Sequence, residues 1–235
     1  MIPSSIQSDR GISPAQIAGE QADLLRKVYT YMTGGLGLTA LTAFLVAHSP
    51  TALAFIFGNP VVFFGLIIAE LVMVFAFSRV VRTMSASSAA TLFFVYAITN
   101  GLTLSVIFLR YTTGSIYTTF LVTAGTFGGM SIYGYLTKRD LSGVGHFMMM
   151  GLWGLILASV ANLFMASDTL YWLTTYMGVF IFVGLTAYDT QKIKDLAHGG
   201  DAETVSKDAI HGALVLYLDF INLFLYLLRL LGRRR

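Results

Sequence analysis

Residues 209–231 read AIHGALVLYLDFINLFLYLLRLL, and residues 171–190 read YWLTTYMGVFIFVGLTAYDT. Each stretch matches the ~20 residues a helix needs to cross the hydrocarbon core of a bilayer. Each also carries one aspartate, Asp219 in the first and Asp189 in the second. A carboxylate in hydrocarbon costs roughly 2.5–3.5 kcal/mol on insertion scales, so a chain that keeps two of them has a use for them. Five more apolar stretches precede these two, at 28–48, 60–78, 89–109, 116–136 and 145–166. With 56% apolar residues, 11% charged residues and a mean hydropathy of +0.73 over 235 residues, the chain cannot cover a soluble globule with polar surface. The sequence therefore predicts an all-α integral membrane protein with seven transmembrane helices. Short connections make 28–231 one compact helical domain, between a polar N-terminal tail, 1–27, and a short basic tail, 232–235. Alternating strand-like polarity is absent, which argues against a β-barrel.

Residues 1–27 hold Pro3, Asp9, Pro14, Glu20 and Asp23 and contain no apolar run leading to a small-residue cleavage site, so they read as a tail and not as a signal peptide. The absence of cysteine removes disulfides, thiol catalysis and thiolate metal sites. Loop charge gives an orientation. Arg10, Arg26, Lys27, Arg79, Arg82, Lys138, Arg139, Lys192, Lys194 and Lys207 fall on one side, against Arg110 on the other. The positive-inside rule then predicts a cytoplasmic amino terminus. Seven spans place Arg229 to Arg235 outside, although Arg233, Arg234 and Arg235 favour the inside. A re-entrant segment is the alternative.

In this topology Asp189 lies near the cytoplasmic end of the sixth span, just before Thr190, Gln191 and Lys192, and Asp219 lies two to three turns into the seventh. Adjacent antiparallel helices bring both carboxyls to a similar depth. Two carboxylates a few ångströms apart in low dielectric do not both ionise readily, so they are expected to share a proton and titrate as a coupled pair.

The run Gly184-Leu-Thr-Ala-Tyr-Asp189-Thr-Gln-Lys-Ile-Lys194, with Leu216-Tyr-Leu-Asp219-Phe-Ile-Asn222-Leu-Phe-Leu-Tyr-Leu-Leu-Arg229, resembles the signature of the transmembrane Bax inhibitor motif family, also called Bax inhibitor-1. Lys138-Arg139-Asp140-Leu141-Ser142 and the acidic Glu70 in the second span extend the similarity over nearly the whole membrane region. The resemblance implies a seven-helix fold with the seventh helix central. It also implies a pH-sensitive calcium leak in which Asp189 and Asp219 form the sensor and gate, with an arginine at the end of the second helix, Arg79 or Arg82, latched onto them. Glu70, Asp189 and Asp219 would then mark the ion pathway, and the two aspartates would be transient calcium ligands. No cofactor is expected, calcium being the transported ion. The expected partners are the lipid bilayer, calcium ions and, as in some bacterial relatives, a membrane-bound protease, but not nucleic acid. The short basic tail fits a multi-pass member of a bacterial inner membrane.

Plainer readings stand beside these. Asp189 can pair with Lys192 or Lys194, Asp219 can make a structural hydrogen bond, and Glu70 can fix helix packing. Asn100, Asn162 and Asn222 are expected to bond between helices. His146 and His211 are expected at the interface and not as ligands. Gly125 and Gly129 have the small-xxx-small spacing of close packing, and Asp140 is expected to cap a helix or pair with Lys138 and Arg139. An intramembrane aspartyl protease needs one protonated and one ionised carboxyl around a water. Its Gly-x-Gly-Asp pattern is replaced here by Leu216-Tyr-Leu-Asp219, and the last proline is Pro60. Phosphate loops, His-Glu-x-x-His helices and dinucleotide fingerprints are missing too, so the chain reads as no enzyme. A membrane-embedded regulator that binds a protease or another assembly is the main alternative to a channel, and an intramembrane aspartyl protease is a distant one.

Overall fold

The computed structural model describes residues 13–197 and 201–235. Pro3, Asp9 and Arg10 lie outside them. Among the described residues the chain is all-helical: α1 (Pro14–Ala47), α2 (Pro50–Phe57), α3 (Pro60–Val80), α4 (Ala86–Leu104), α5 (Val106–Arg110), α6 (Thr113–Leu136), α7 (Ser142–Met165), α8 (Asp168–Lys194) and α9 (Ala202–Leu231).

The starts of these helices are written in local chemistry. Ser13 caps α1 through a full capping box with Gln16, and Pro14 occupies the first turn, where a missing N–H costs nothing. Helix α1 thus begins 14 residues before the apolar stretch at 28, and its 34 residues make it about 51 Å long. Ser49 with Pro50 and Asn59 with Pro60 repeat the cap-then-proline device at α2 and α3. Between α7 and α8 the chain turns through Ala166 at φ 47°, a left-handed conformation held by Ala166 N–H to Asn162 O and Ser167 N–H to Asn162 Oδ1.

Among the described residues six helices are long and apolar enough to cross a membrane: Ala15–Ala47, Pro60–Val80, Ala86–Arg110, Ser142–Met165, Asp168–Lys194 and Ala202–Leu231. The fourth expected span is also a helix, Thr113–Leu136, with 24 residues and no charged side chain, but it falls short in hydropathy because Gly, Thr, Ser and Tyr recur through it. Large apolar side chains stand exposed along these helices. Phe164 is 86% exposed and Val61 81%, an arrangement that only an apolar solvent satisfies.

Two compact units divide the chain. The first comprises Thr113–Asp195 with Leu218–Arg233, and here α8 packs on both α6 and α7. The second comprises Ser13–Thr112 with Leu196–Tyr217, and here α1 packs on α4, and α4 on α3. Helix α9 supplies its last turns to the first unit and its first turns to the second.

Close approach in the first unit occurs at glycines the sequence did not single out. A Cβ on Gly134 would strike the backbone of Ala187, and one on Gly178 would meet the Tyr226 ring at 2.6 Å. Gly145 sits against the Tyr188 ring. Gly125 and Gly129, in contrast, have nothing within 4 Å of an added Cβ, so their spacing does not mark a packing seam.

Candidate functional site

The first unit brings Asp189 of α8 and Asp219 of α9 together. Their carboxyls lie within hydrogen-bonding reach of each other. Asp219 is 5% exposed and Asp189 half-buried. Two carboxylates offer acceptors only, so a bond between them needs one shared proton. With both ionised, Asp219 Oδ2 is a buried oxygen without a hydrogen-bond partner among the described residues. Phe220, next to Asp219 in sequence, packs edge-on against Phe120 at 5.5 Å and Phe127 at 5.4 Å and so ties this part of α9 to α6.

Helix α8 is fixed in rotation by contacts just past Asp189. Thr190 Oγ1 donates to Thr186 O at 2.7 Å and reaches Ser131 Oγ of α6 at 3.4 Å. The Gln191 amide works as a two-pronged staple: its Nε2 donates to Arg139 O at 2.9 Å, and its Oε1 accepts from Leu141 N at 2.8 Å. Lys194 Nζ donates to Tyr135 O at 3.0 Å. The helix therefore runs to Lys194, four residues beyond the expected end of the span, with two lysines in its last turn where the dipole favours them. Gln191 also explains why Lys138–Ser142 and the run after Asp189 go together. One motif supplies the amide and the other the loop it grips.

These contacts bear on the plainer reading of Asp189. Lys192 lies over the Tyr188 ring and Lys194 over the Tyr135 ring, and the ion pairs among the described residues are Asp23–Arg26 and Glu203–Lys207. Neither lysine is within salt-bridge distance of Asp189, although Lys192 is near enough for its charge to act on that carboxyl. Asp140 has its expected structural role: its Oδ1 accepts from Ser142 N at 2.8 Å at the start of α7. The side-chain and backbone hydrogen bonds of Ser142 hold the Asp140 carboxyl below the usual carboxylate range.

In the second unit Glu70 of α3 is half-buried and meets donors: Thr103 Oγ1 at 2.8 Å and Asn100 Nδ2 at 3.3 Å. Tyr217 Oη donates to Asn100 Oδ1 at 3.0 Å and contacts Thr39 Oγ1 at 2.6 Å. Asn100 is thus an interhelical bond, as expected, whereas Asn162 and Asn222 bond locally, to Ser167 N and Leu218 O. Sequence reasoning missed Tyr217, Thr39 and Thr103. The signal was present in Tyr217, an aromatic hydroxyl two residues before Asp219 inside an apolar run. Arg79 is exposed in the last turn of α3. Arg82, just beyond it, lines a cleft of about 370 Å³ with Leu196, Thr204, Lys207 and Asp208. His146 Nδ1 bonds Ser142 O at 2.6 Å, and His211 stacks with Phe77.

A family model described as Inhibitor of apoptosis-promoting Bax1 matches residues 21–235. This chain belongs to the Bax inhibitor-1 family. The inner membrane protein YbhL of Escherichia coli is 50% identical over 232 residues, covering 97% of this chain and 98% of that one. A protein of Borreliella burgdorferi is 46% identical over 213 residues, 90% of this chain and 92% of its own. One of Deinococcus radiodurans is 42% identical over 207 residues, 88% of each chain. The resemblance read from the two aspartate motifs is thereby the correct family, and the chain is a membrane protein of that family.

Proposed function

We propose that this Bax inhibitor-1 family member is a pH-sensitive leak for calcium or other cations, with the Asp189–Asp219 pair as its proton-linked gate. The contact between two carboxyls that needs a proton to form carries this reading. A singly protonated pair bridges α8 to α9 and keeps one negative charge. Loss of the shared proton leaves two like charges side by side, and a second proton removes the charge a passing cation would meet, so flux depends on pH in either case. Asp189 and Asp219 bind calcium transiently, with Glu70 further along the pathway. An arginine latch, Arg79 or Arg82, is the remaining element of the gate.

The protein sits in a bacterial inner membrane as a seven-span protein with α9 at its centre and a cytoplasmic amino terminus. The name of its YbhL relative supports the membrane, and the reading of α9 is supported by its having the largest buried share of the six spans found among the described residues. Support for the seventh span, and for a basic end opposite the basic loops, comes from the chain terminus. In the first unit Arg233 N donates to Ser115 Oγ at 3.0 Å, and in the second Arg235 N donates to Arg110 O at 3.0 Å, so the terminus lies beside the turn that carries Arg110.

The test is calcium flux from liposomes holding the purified chain, measured between roughly pH 5 and 8. Asp219→Asn should remove most of the pH dependence. One of Arg79→Ala and Arg82→Ala should leak more at neutral pH, with lysine at that position intermediate, because a bidentate guanidinium holds a carboxylate better than an ammonium does. Unchanged profiles in all three variants would reject the gate. Absence of flux in the parent chain would favour a membrane-embedded regulator of a protease or another assembly.

A further inference from the structure

The second unit holds a chain of polar groups in which hydrogens can be counted. Glu70 of α3, Asn100 of α4, Tyr217 of α9 and Thr39 of α1 are joined in series, at 3.3, 3.0 and 2.6 Å. At each end a threonine hydroxyl has a choice of acceptor. Thr103 Oγ1 lies 2.8 Å from Glu70 Oε1 and 3.0 Å from the backbone oxygen of Asn100. Thr39 Oγ1 lies 2.6 Å from the Tyr217 hydroxyl and 2.8 Å from Ala97 O. A threonine or tyrosine hydroxyl has one proton, so these contacts cannot all be donated in the same direction at once.

Two self-consistent arrangements exist. With Glu70 ionised, Thr103 and the Asn100 NH₂ donate to its carboxylate, Tyr217 donates to Asn100 Oδ1, and Thr39 donates to Tyr217. With Glu70 protonated, its O–H donates to Asn100 Oδ1, and the amide turns over so that its NH₂ donates to Tyr217. The Tyr217 hydroxyl then donates to Thr39 Oγ1, Thr39 turns to Ala97 O, and Thr103 goes on donating to Glu70 Oε1. The amide of an asparagine has the same shape either way round, so the turn moves no backbone. With Thr103 on Glu70 Oε1 throughout, each of these side chains keeps a partner in both arrangements.

We propose that Glu70 is a proton-binding site whose charge state is passed through Asn100 to Tyr217 by reversal of this hydrogen-bond chain. The ligand held at Glu70 is a proton, because the groups that meet its carboxylate are donors; a cation passing along the pathway proposed above does not alter that count. Among the described residues the titratable side chains that face Glu70 are Tyr96 of α4 and Tyr217 of α9; Thr39 of α1 is neutral. The message is delivered to α9 two residues before Asp219, but the relay stands whatever Asp189 and Asp219 do.

The test is infrared pH-difference spectroscopy of the full chain in lipid, on an Asp189→Asn, Asp219→Asn background that removes the other membrane carboxyls. A Tyr217→Phe spectrum isolates the Tyr217 bands from those of the remaining tyrosines. A carboxylic-acid band should appear on acidification and vanish in Glu70→Gln, and a Tyr217 band should change with the same midpoint. In Glu70→Gln the tyrosine change should vanish. In Asn100→Leu the carboxyl should still titrate while the tyrosine change is lost. Thr39→Val, a milder change, should leave the neutral-side Tyr217 band in place and shift the acid-side band to that of a hydroxyl without an acceptor. A Tyr217 change that persists in Glu70→Gln, a Glu70 titration with no Tyr217 change, or an unaltered acid-side band in Thr39→Val would each overturn the relay.

Discussion

The two units solve one problem in different ways. Each holds acid at membrane depth, where an uncompensated carboxylate is costly. In the second unit Glu70 is surrounded by neutral donors, Asn100 and Thr103, and the network closes on backbone carbonyls. In the first unit Asp219 is met by another acid, Asp189, and one of its oxygens has no partner when both are charged. The donor-lined site is satisfied with its acid ionised. The paired site is satisfied only with a proton. Position inside a bilayer therefore does not by itself make a carboxylate a gate; the chemistry of its neighbour decides.

Substitution should separate the two sites most widely where a neighbour is orphaned. Glu70→Leu strands the Asn100 amide donor in an apolar setting and should lower stability by about 1–3 kcal/mol. Asp219→Asn supplies its own donor to Asp189 without a shared proton, so stability at neutral pH should hold or rise. Thermal unfolding in detergent reads both. Equal losses in the two variants would break the contrast.

A second measurement sharpens the pairing side. Gly134 lies where a Cβ meets the Ala187 backbone, two residues before Asp189, and backbone cannot swing away as a flexible side chain can. Gly134→Ala should cost about 1–3 kcal/mol from overpacking. Gly129→Ala, facing open space, should change stability by no more than about 0.5 kcal/mol. Similar behaviour at both positions would mean that α6 does not set the rotation of α8.

Much of this contrast was legible in the sequence, and the rest was not for physical reasons. Apolar length and the two aspartates gave the helices and the pair, because burying backbone in lipid leaves few structures and a charged residue there stands out. Small-xxx-small spacing pointed to Gly125 and Gly129 and missed Gly134, because spacing says which residues share a face and not what the face meets. Asn162 and Asn222 bond locally because a backbone group within one turn is nearer than a neighbouring helix. Glu70 was visible as an acid, but its donors come from α4 and the relay from α1 and α9, an assembly that no linear spacing encodes. Gln191 was hidden in plain view as part of a motif whose partner loop, at Leu141, lies 50 residues earlier in the chain.

The smallest effect concerns the loop that Gln191 grips. Hydrogen bonds from Ser142 favour the ionised form of Asp140 in the folded chain, so its stabilisation is present above the unfolded value of about 3.9 and is lost as pH falls through the lowered folded value. Asp140→Asn should therefore be slightly less stable than the parent at neutral pH, with the difference closing in acid. A difference that grows on acidification would have the wrong sign.

The shared proton itself is tested most directly by a double-mutant cycle in calcium flux against pH, using Asp189→Asn, Asp219→Asn and the double variant in the same liposomes. Two carboxyls acting as one titrating unit should be non-additive: either single substitution should abolish most of the pH dependence, and the double should add little to it. Two independent losses that sum in the double variant would show separate titrations and contradict the paired gate.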